Sequence, residues 1–149
     1  MNIEFIENIE SLNVFNYRII ERWVHDSVNN EGLEIGDLTF VFMSDEELLD
    51  YNIRFLDHDY YTDVITFDNS KGKVVNGDIL ISWERILDNA NSLNTDYLSE
   101  FLRVIIHGVL HLCGYKDKEE KDIKIMREKE NFYLNRVEVN DIVSRETLK

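Results

Sequence analysis

The segment that most restricts how this chain can fold is residues 96–113, DYLSEFLRVIIHGVLHLC. Wound into an α-helix, it is apolar at almost every angle, and such a helix is stable in water only when other elements cover most of its sides. Gly114 follows at the position favoured for a left-handed C-terminal cap. The fold must therefore be assembled around one central, buried helix. Glu100, Arg103, His107 and His111 interrupt the apolar surface, and their spacing places them on a single stripe. Burying such a stripe without partners is unfavourable, so it is expected to line a cleft or meet a ligand.

The rest of the chain supplies the covering layers. Residues 2–6 and 37–43 read as strands, the second a β-branched and aromatic run. Residues 15–30 carry Ile19, Ile20, Trp23, Val24 and Val28 at helical spacing, with Gly32 just past the end. Ser44 and Glu47 form a capping box that opens a helix containing Leu48, Leu49 and Ile53. Strands are predicted at residues 63–67 and 78–82, with Asn76-Gly77 as the turn signal between them. A short helix over residues 83–91 and a charged amphipathic one over 118–136, packing through Ile123, Met126 and Leu134, complete the order β-α-β-α-β-β-α-α-α. That order does not alternate regularly enough for a doubly wound sheet. It predicts an α+β fold: a small mixed sheet with helices packed against it.

At 149 residues and 44% hydrophobic content, the chain suits one domain over residues 1–149. No repeat or Gly/Ser-rich linker marks a boundary. Residues 1–12 lack the basic start and apolar centre of a signal peptide, and no apolar run is long enough to span a bilayer, so a cytoplasmic protein with no membrane partner is expected. A single cysteine, Cys113, excludes an internal disulfide and a Cys-rich zinc finger, and a core role is expected for it. The net charge of −14 argues against tight, sequence-blind binding to polyanions. The charge is uneven, however. From Arg103 to Lys129 seven basic residues face five acidic ones, whereas residues 31–68 hold eleven acids against Arg54 alone. A locally basic grip on a polyanion remains open.

The chemistry concentrates in HGVLHLCGYKD, residues 107–117. Two imidazoles one helical turn apart can hold one metal ion, and a catalytic zinc takes a third protein ligand while keeping a position open for water. Gly114 allows a sharp turn, after which Asp117 arrives at the last ligand position of the pattern His-x-x-x-His-x-x-Gly-x-x-Asp. Asp117 also begins Asp-Lys-Glu-Glu, a capping box for the next helix, so ligation and capping both stand; if Asp117 only caps, Glu119, Glu120 or a distant side chain must complete the site. Metalloproteases place Glu, their general base, directly after the first histidine. Gly108 stands there, which disfavours a zincin peptidase. His25, His58 and the acids Asp57, Asp59 and Asp63 read as solvated groups, with Asp63 also a candidate proton acceptor. No P-loop, dinucleotide fingerprint or nucleophile elbow is present.

HGVLHLCGYKD resembles the histidine signature of the YbeY family of metal-dependent bacterial endoribonucleases. NIRFLDHD at residues 52–59 with TDV at 62–64 is similar to a second family motif, and GDI at 77–79 to the strand between them. The resemblance runs from about Leu38 to Met126. It implies an α+β fold with a zincin-like helix and one zinc on three ligands, other transition metals being alternatives. It also implies single-strand-specific endoribonuclease activity in maturing the 3′ end of small-subunit ribosomal RNA, a role in ribosome quality control, and RNA, the ribosome or ribosomal proteins as partners. Carried over, His107 and His111 are the first two ligands and the family's third histidine falls on Asp117. The family's functional arginine falls on Leu56, leaving Arg54, Arg103 and Lys116 as candidate replacements. The competing readings are a metal-dependent hydrolase of another substrate, such as a peptidase with a remote base, and a ribosome-assembly adaptor whose metal only pins the last helix.

Overall fold

A computed structural model describes residues 2–7 and 15–142. The expectation for residues 1–12 falls partly outside these. Four strands, β1 (Asn2–Glu7), β2 (Glu34–Met43), β3 (Val64–Asp68) and β4 (Val74–Ser82), form one sheet in the order β1-β2-β4-β3. β1, β2 and β4 run parallel and β3 pairs antiparallel to β4, so the sheet is mixed, as the element order predicts. Among the described residues six helices surround it: α1 (Tyr17–Asn30), α2 (Asp45–Leu56), α3 (Trp83–Leu93), α4 (Tyr97–Leu112), α5 (Glu120–Leu134) and the short α6 (Val139–Ile142), the last unforeseen in the sequence. None of the described helices is long and apolar enough to cross a membrane.

Alternation along the strands separates two cores. Leu38, Phe40, Phe42, Ile79 and Ile81 face the main core with α1 and α4, while Met43, Ile65 and Leu80 meet Leu48 of α2 in a smaller one on the other side. α4 is the buried helix that its sequence demands: Phe101, Leu102, Ile105 and Ile106 are inaccessible to solvent. Asp96 caps it by accepting from the Leu98 N–H. At the other end Gly114 has φ +107°, the Gly114 N–H donates to the His111 carbonyl, and the Tyr115 N–H donates to that of Leu110. That double closure is a Schellman motif, and it turns the chain back across the end of the helix.

The hairpin turn lies elsewhere than predicted. Lys71 and Val74 exchange backbone hydrogen bonds around Gly72-Lys73, and Asn76-Gly77 sits inside β4. Both residues are there for packing. The Asn76 Oδ1 accepts from the Asp37 N–H at 2.7 Å, closing the register shift of β2 between Ile35 and Leu38. A Cβ on Gly77 would lie 2.4 Å from the Phe67 carbonyl oxygen. The charged helix α5 packs only partly as expected, with Leu134 against the main core as foreseen. Met126 is buried, but Ile123 is 52% exposed, and the positions turned inward are Met126, Glu130 and Tyr133.

Candidate metal centre

The stripe on α4 is the one strip of that helix not sealed by apolar neighbours. α5 crosses it, β3 begins beside it, and a cavity of about 370 Å³ opens between them. His107 and Asp117 stand at one end of this cavity and Glu100 belongs to the same wall, with Arg103, Arg127 and Asp63 also lining it.

Three of the predicted site residues converge. The Nε2 atoms of His107 and His111 are 3.0 Å apart, and Asp117 Oδ2 is 3.3 Å from each. Tetrahedral ligands about 2.0–2.1 Å from a zinc ion stand about 3.3–3.4 Å from one another. The triangle is close to one face of such a tetrahedron, and its nitrogen and oxygen donors suit a transition metal. His107, His111 and Asp117 could therefore hold a metal ion. Asp117 does not cap α5: that helix begins at Glu120, its N-cap residue Glu119 makes no side-chain cap, and Glu120 and Asp122 in the first turn meet the positive end of the helix dipole.

The far side of each imidazole is fixed. His107 Nδ1 lies 2.7 Å from Glu130 Oε2, and His111 Nδ1 lies 2.9 Å from the Tyr115 carbonyl. With acceptors on both Nδ1 atoms, the neutral rings donate there and turn their Nε2 lone pairs toward Asp117, the tautomer a metal ligand needs. The Schellman turn thus has a chemical consequence, since it delivers both the carbonyl that orients His111 and the chain that carries Asp117. Tyr115 is itself held down, its hydroxyl donating to Glu31 Oε1 at 2.5 Å, while Tyr133 donates to the other oxygen of the same carboxylate.

Glu130 is the residue that sequence reasoning missed. It is 4% exposed, accepts from Arg103 at 2.8 Å as well as from His107, and has Arg127 at 3.5 Å. Burial pushes its carboxyl up, but the His107 and Arg103 hydrogen bonds and the charges of His107 and Arg127 outweigh this and hold it below the usual range. Burial pushes His107 down, yet Glu130, Asp117 and Asp63 together raise it. Asp63 and Glu100 are both raised, mainly by burial. Asp63 therefore separates from Asp57 and Asp59, which are exposed as expected.

Of the arginine candidates, only Arg103 reaches the cavity. Arg54 pairs with Asp50 at 3.3 Å on the exposed face of α2, Leu56 ends that helix, and Lys116 is exposed outside the cavity lining. Arg103 is tied to Glu130 and to Asn131 Oδ1, and Arg127 joins it, a second cation that sequence reasoning had counted without placing. Gly108 faces β4, where a Cβ would lie 2.8 Å from Ile79 Cγ2. A glutamate base of the zincin type has no room there. His58 stacks on Tyr60 in an exposed loop and His25 hydrogen-bonds Asn29, both away from the cavity. The Cys113 thiol is pushed up to about 12 by burial, with Glu31 and Asp68 adding to it, and packs against the main core as an inert group.

Comparisons with known proteins identify the family. A model of the family "Endoribonuclease YbeY" matches residues 4–138. Proteins of that name are 49% identical in Christiangramia forsetii, over 72% of this chain and 76% of the relative, and 46% identical in Porphyromonas gingivalis, over 84% and 83%. The solution structure of a Thermotoga maritima protein superimposes with a TM-score of 0.67 at 27% identity, covering 90% of this chain and 87% of that one. By sequence over most of its length and by fold, the chain belongs to the YbeY endoribonuclease family.

Proposed function

We propose that this protein is a metal-dependent hydrolase that cuts single-stranded RNA, and that residues 1–149 act as one domain. The observation that carries the reading is the triangle of His107, His111 and Asp117 at the edge of an arginine-lined cavity, in a chain of this family. His107, His111 and Asp117 hold one ion, zinc by preference for two imidazoles and a carboxylate. When bound, such an ion supplies Lewis acidity for water and for a phosphoryl oxygen. A carboxylate in the third position makes the site more negative than three histidines would, which weakens that acidity.

The remaining work falls to the chain's own groups. Glu130 orients His107 and neutralises Arg103, so the guanidinium is held at the cavity wall rather than free in solvent. Arg127 lies 3.5 Å from Glu130 with its side chain 60% exposed, so it reaches from the cavity wall toward an RNA phosphate. Asp63, raised by burial, is positioned in the cavity to accept the proton that leaves the attacking water. The natural substrate is ribosomal RNA at the 3′ end of the small-subunit molecule, the setting is the cytoplasm, and the ribosome or its proteins are the partners.

Single-stranded RNA and casein, incubated side by side with and without chelator, test the reading. RNA cleavage that chelation abolishes is the expected result. Casein cleavage would favour a peptidase. A chelator-induced fall in melting temperature with no RNA turnover under zinc, manganese or nickel would favour an assembly adaptor.

A further inference from the structure

Glu100 has no place in the chemistry described so far. It is 9% exposed, lines the cavity, and no hydrogen bond or ion pair among the described residues engages its carboxyl. The side chain is about nine-tenths covered, but its oxygens are not sealed off from solvent: they open into the cavity, where no protein donor meets them. Arg103 and Arg127 act on it only through their charge, and burial holds its carboxyl above the usual range. Its oxygens are left to whatever enters the cavity. Along α4 it lies seven residues before His107, about 10.5 Å by helical rise. That is comparable to the reach from a phosphate to the far edge of its own nucleobase. Val104, Ile123 and Met126 give the space between them apolar walls, and Arg127 offers a flat cationic group at the side.

We infer that this cavity is a nucleobase subsite in which the two oxygens of Glu100 accept the adjacent N1–H and N2–H donors of a guanine. The proposal rests on the RNA-cleaving reading and names what the enzyme reads beside the scissile phosphate. The choice of base follows from donor patterns. A carboxylate only accepts, through two neighbouring oxygens. Guanine alone presents two adjacent donors on its Watson–Crick edge; adenine and cytosine offer one donor beside a repelling acceptor, and uracil one donor between two acceptors. Single-stranded RNA exposes that edge, which a duplex hides. Val104, Ile123 and Met126 contact the base faces, while Arg127 at the side of the cavity stays with the backbone phosphate.

The test uses uridine-rich oligonucleotides with one internal guanosine, inosine or uridine. The first readout is cleavage by the metal-loaded protein, mapped to the nucleotide. The second is fluorescence anisotropy of the same labelled strands with chelator present. Cleavage next to the guanosine should exceed that of the all-uridine strand on the order of tenfold. Inosine, which lacks the N2 amine, should lose most of the preference, and Glu100→Gln, with its metal content unchanged, should bring the guanosine-to-uridine ratio close to one in both readouts. Equal cleavage and equal binding of all three strands would overturn the subsite. A second metal equivalent in the native protein that Glu100→Gln removes would also overturn it, making Glu100 a ligand. Failure to cut any strand, with guanosine-preferring binding intact, would leave the subsite standing and remove the nuclease reading instead.

Discussion

Glu130→Gln isolates the part of the site that lies behind the proposed ligands. The side chain keeps its shape, but one of two acceptor oxygens becomes an NH₂ donor, so either the His107 Nδ1–H or the Arg103 guanidinium loses its partner. Both groups are well covered, and one donor left without an acceptor costs about 1–3 kcal/mol. Loss of the carboxylate behind His107 also lowers the basicity of that ring. Changes of this kind weaken metal binding about 10- to 100-fold, equivalent to about 1.4–2.7 kcal/mol. The pH dependence carries a sign. Glu130 raises His107 above its ordinary 6.5, so in the native protein protons compete with the ion already above that pH. Removing the carboxylate relieves the competition. The affinity deficit of Glu130→Gln should therefore be widest near pH 8 and narrow toward pH 6. Competition against a chromophoric chelator at several pH values measures it, with the exposed Glu128→Gln as control. Equal zinc affinity of Glu130→Gln and native protein at pH 8 would refute the argument.

Other expectations are simpler. Glu31 anchors Tyr115, Tyr133 and Lys129; burial raises its carboxyl, but those three hydrogen bonds lower it below 4.5 overall. A lowered carboxylate stabilises the fold at pH values above its unfolded pKa and ceases to do so as pH falls through the folded one. Glu31→Gln should accordingly melt below the native protein at pH 7 and converge with it well under pH 4.5; a gap that persists at low pH would point to packing instead. Gly77→Ala drives a Cβ to 2.4 Å from the Phe67 carbonyl oxygen and should lose about 1–3 kcal/mol in a urea titration, whereas an unchanged midpoint would deny the close approach. Arg127→Ala should weaken RNA binding across sequences and reduce the salt slope by about one, read by anisotropy at several salt concentrations; an unaltered slope would remove Arg127 from phosphate binding.

How much of this was legible in the sequence follows from the range over which each residue is determined. The α4 stripe was legible because helical spacing alone brings His107 and His111 together, and Gly114 announces the turn that returns Asp117. The capping reading of Asp117 is local in sequence, and it falls only because α5 starts later, at Glu120. Glu130 was hidden because its burial is tertiary: it lies 23 residues from His107, in a helix rich in charge. One signal could have found it, since Met126, Glu130 and Tyr133 share an inward face and an acid on such a face needs a partner. Asn76-Gly77 misled for a related reason. The pair is a strong local turn signal, but here the glycine is required by the approach of β3 and Leu112, and the asparagine by the bulge in β2.

The central claim is that His107, His111 and Asp117 together hold the ion on which RNA cleavage depends. Elemental analysis of the protein after purification and dialysis tests it directly, applied to the native chain and to the double variant His107→Ala/His111→Ala. About one equivalent of a transition metal in the native protein, and none in a folded double variant that no longer cuts RNA, is the expected result. A full equivalent retained by the double variant would contradict the account.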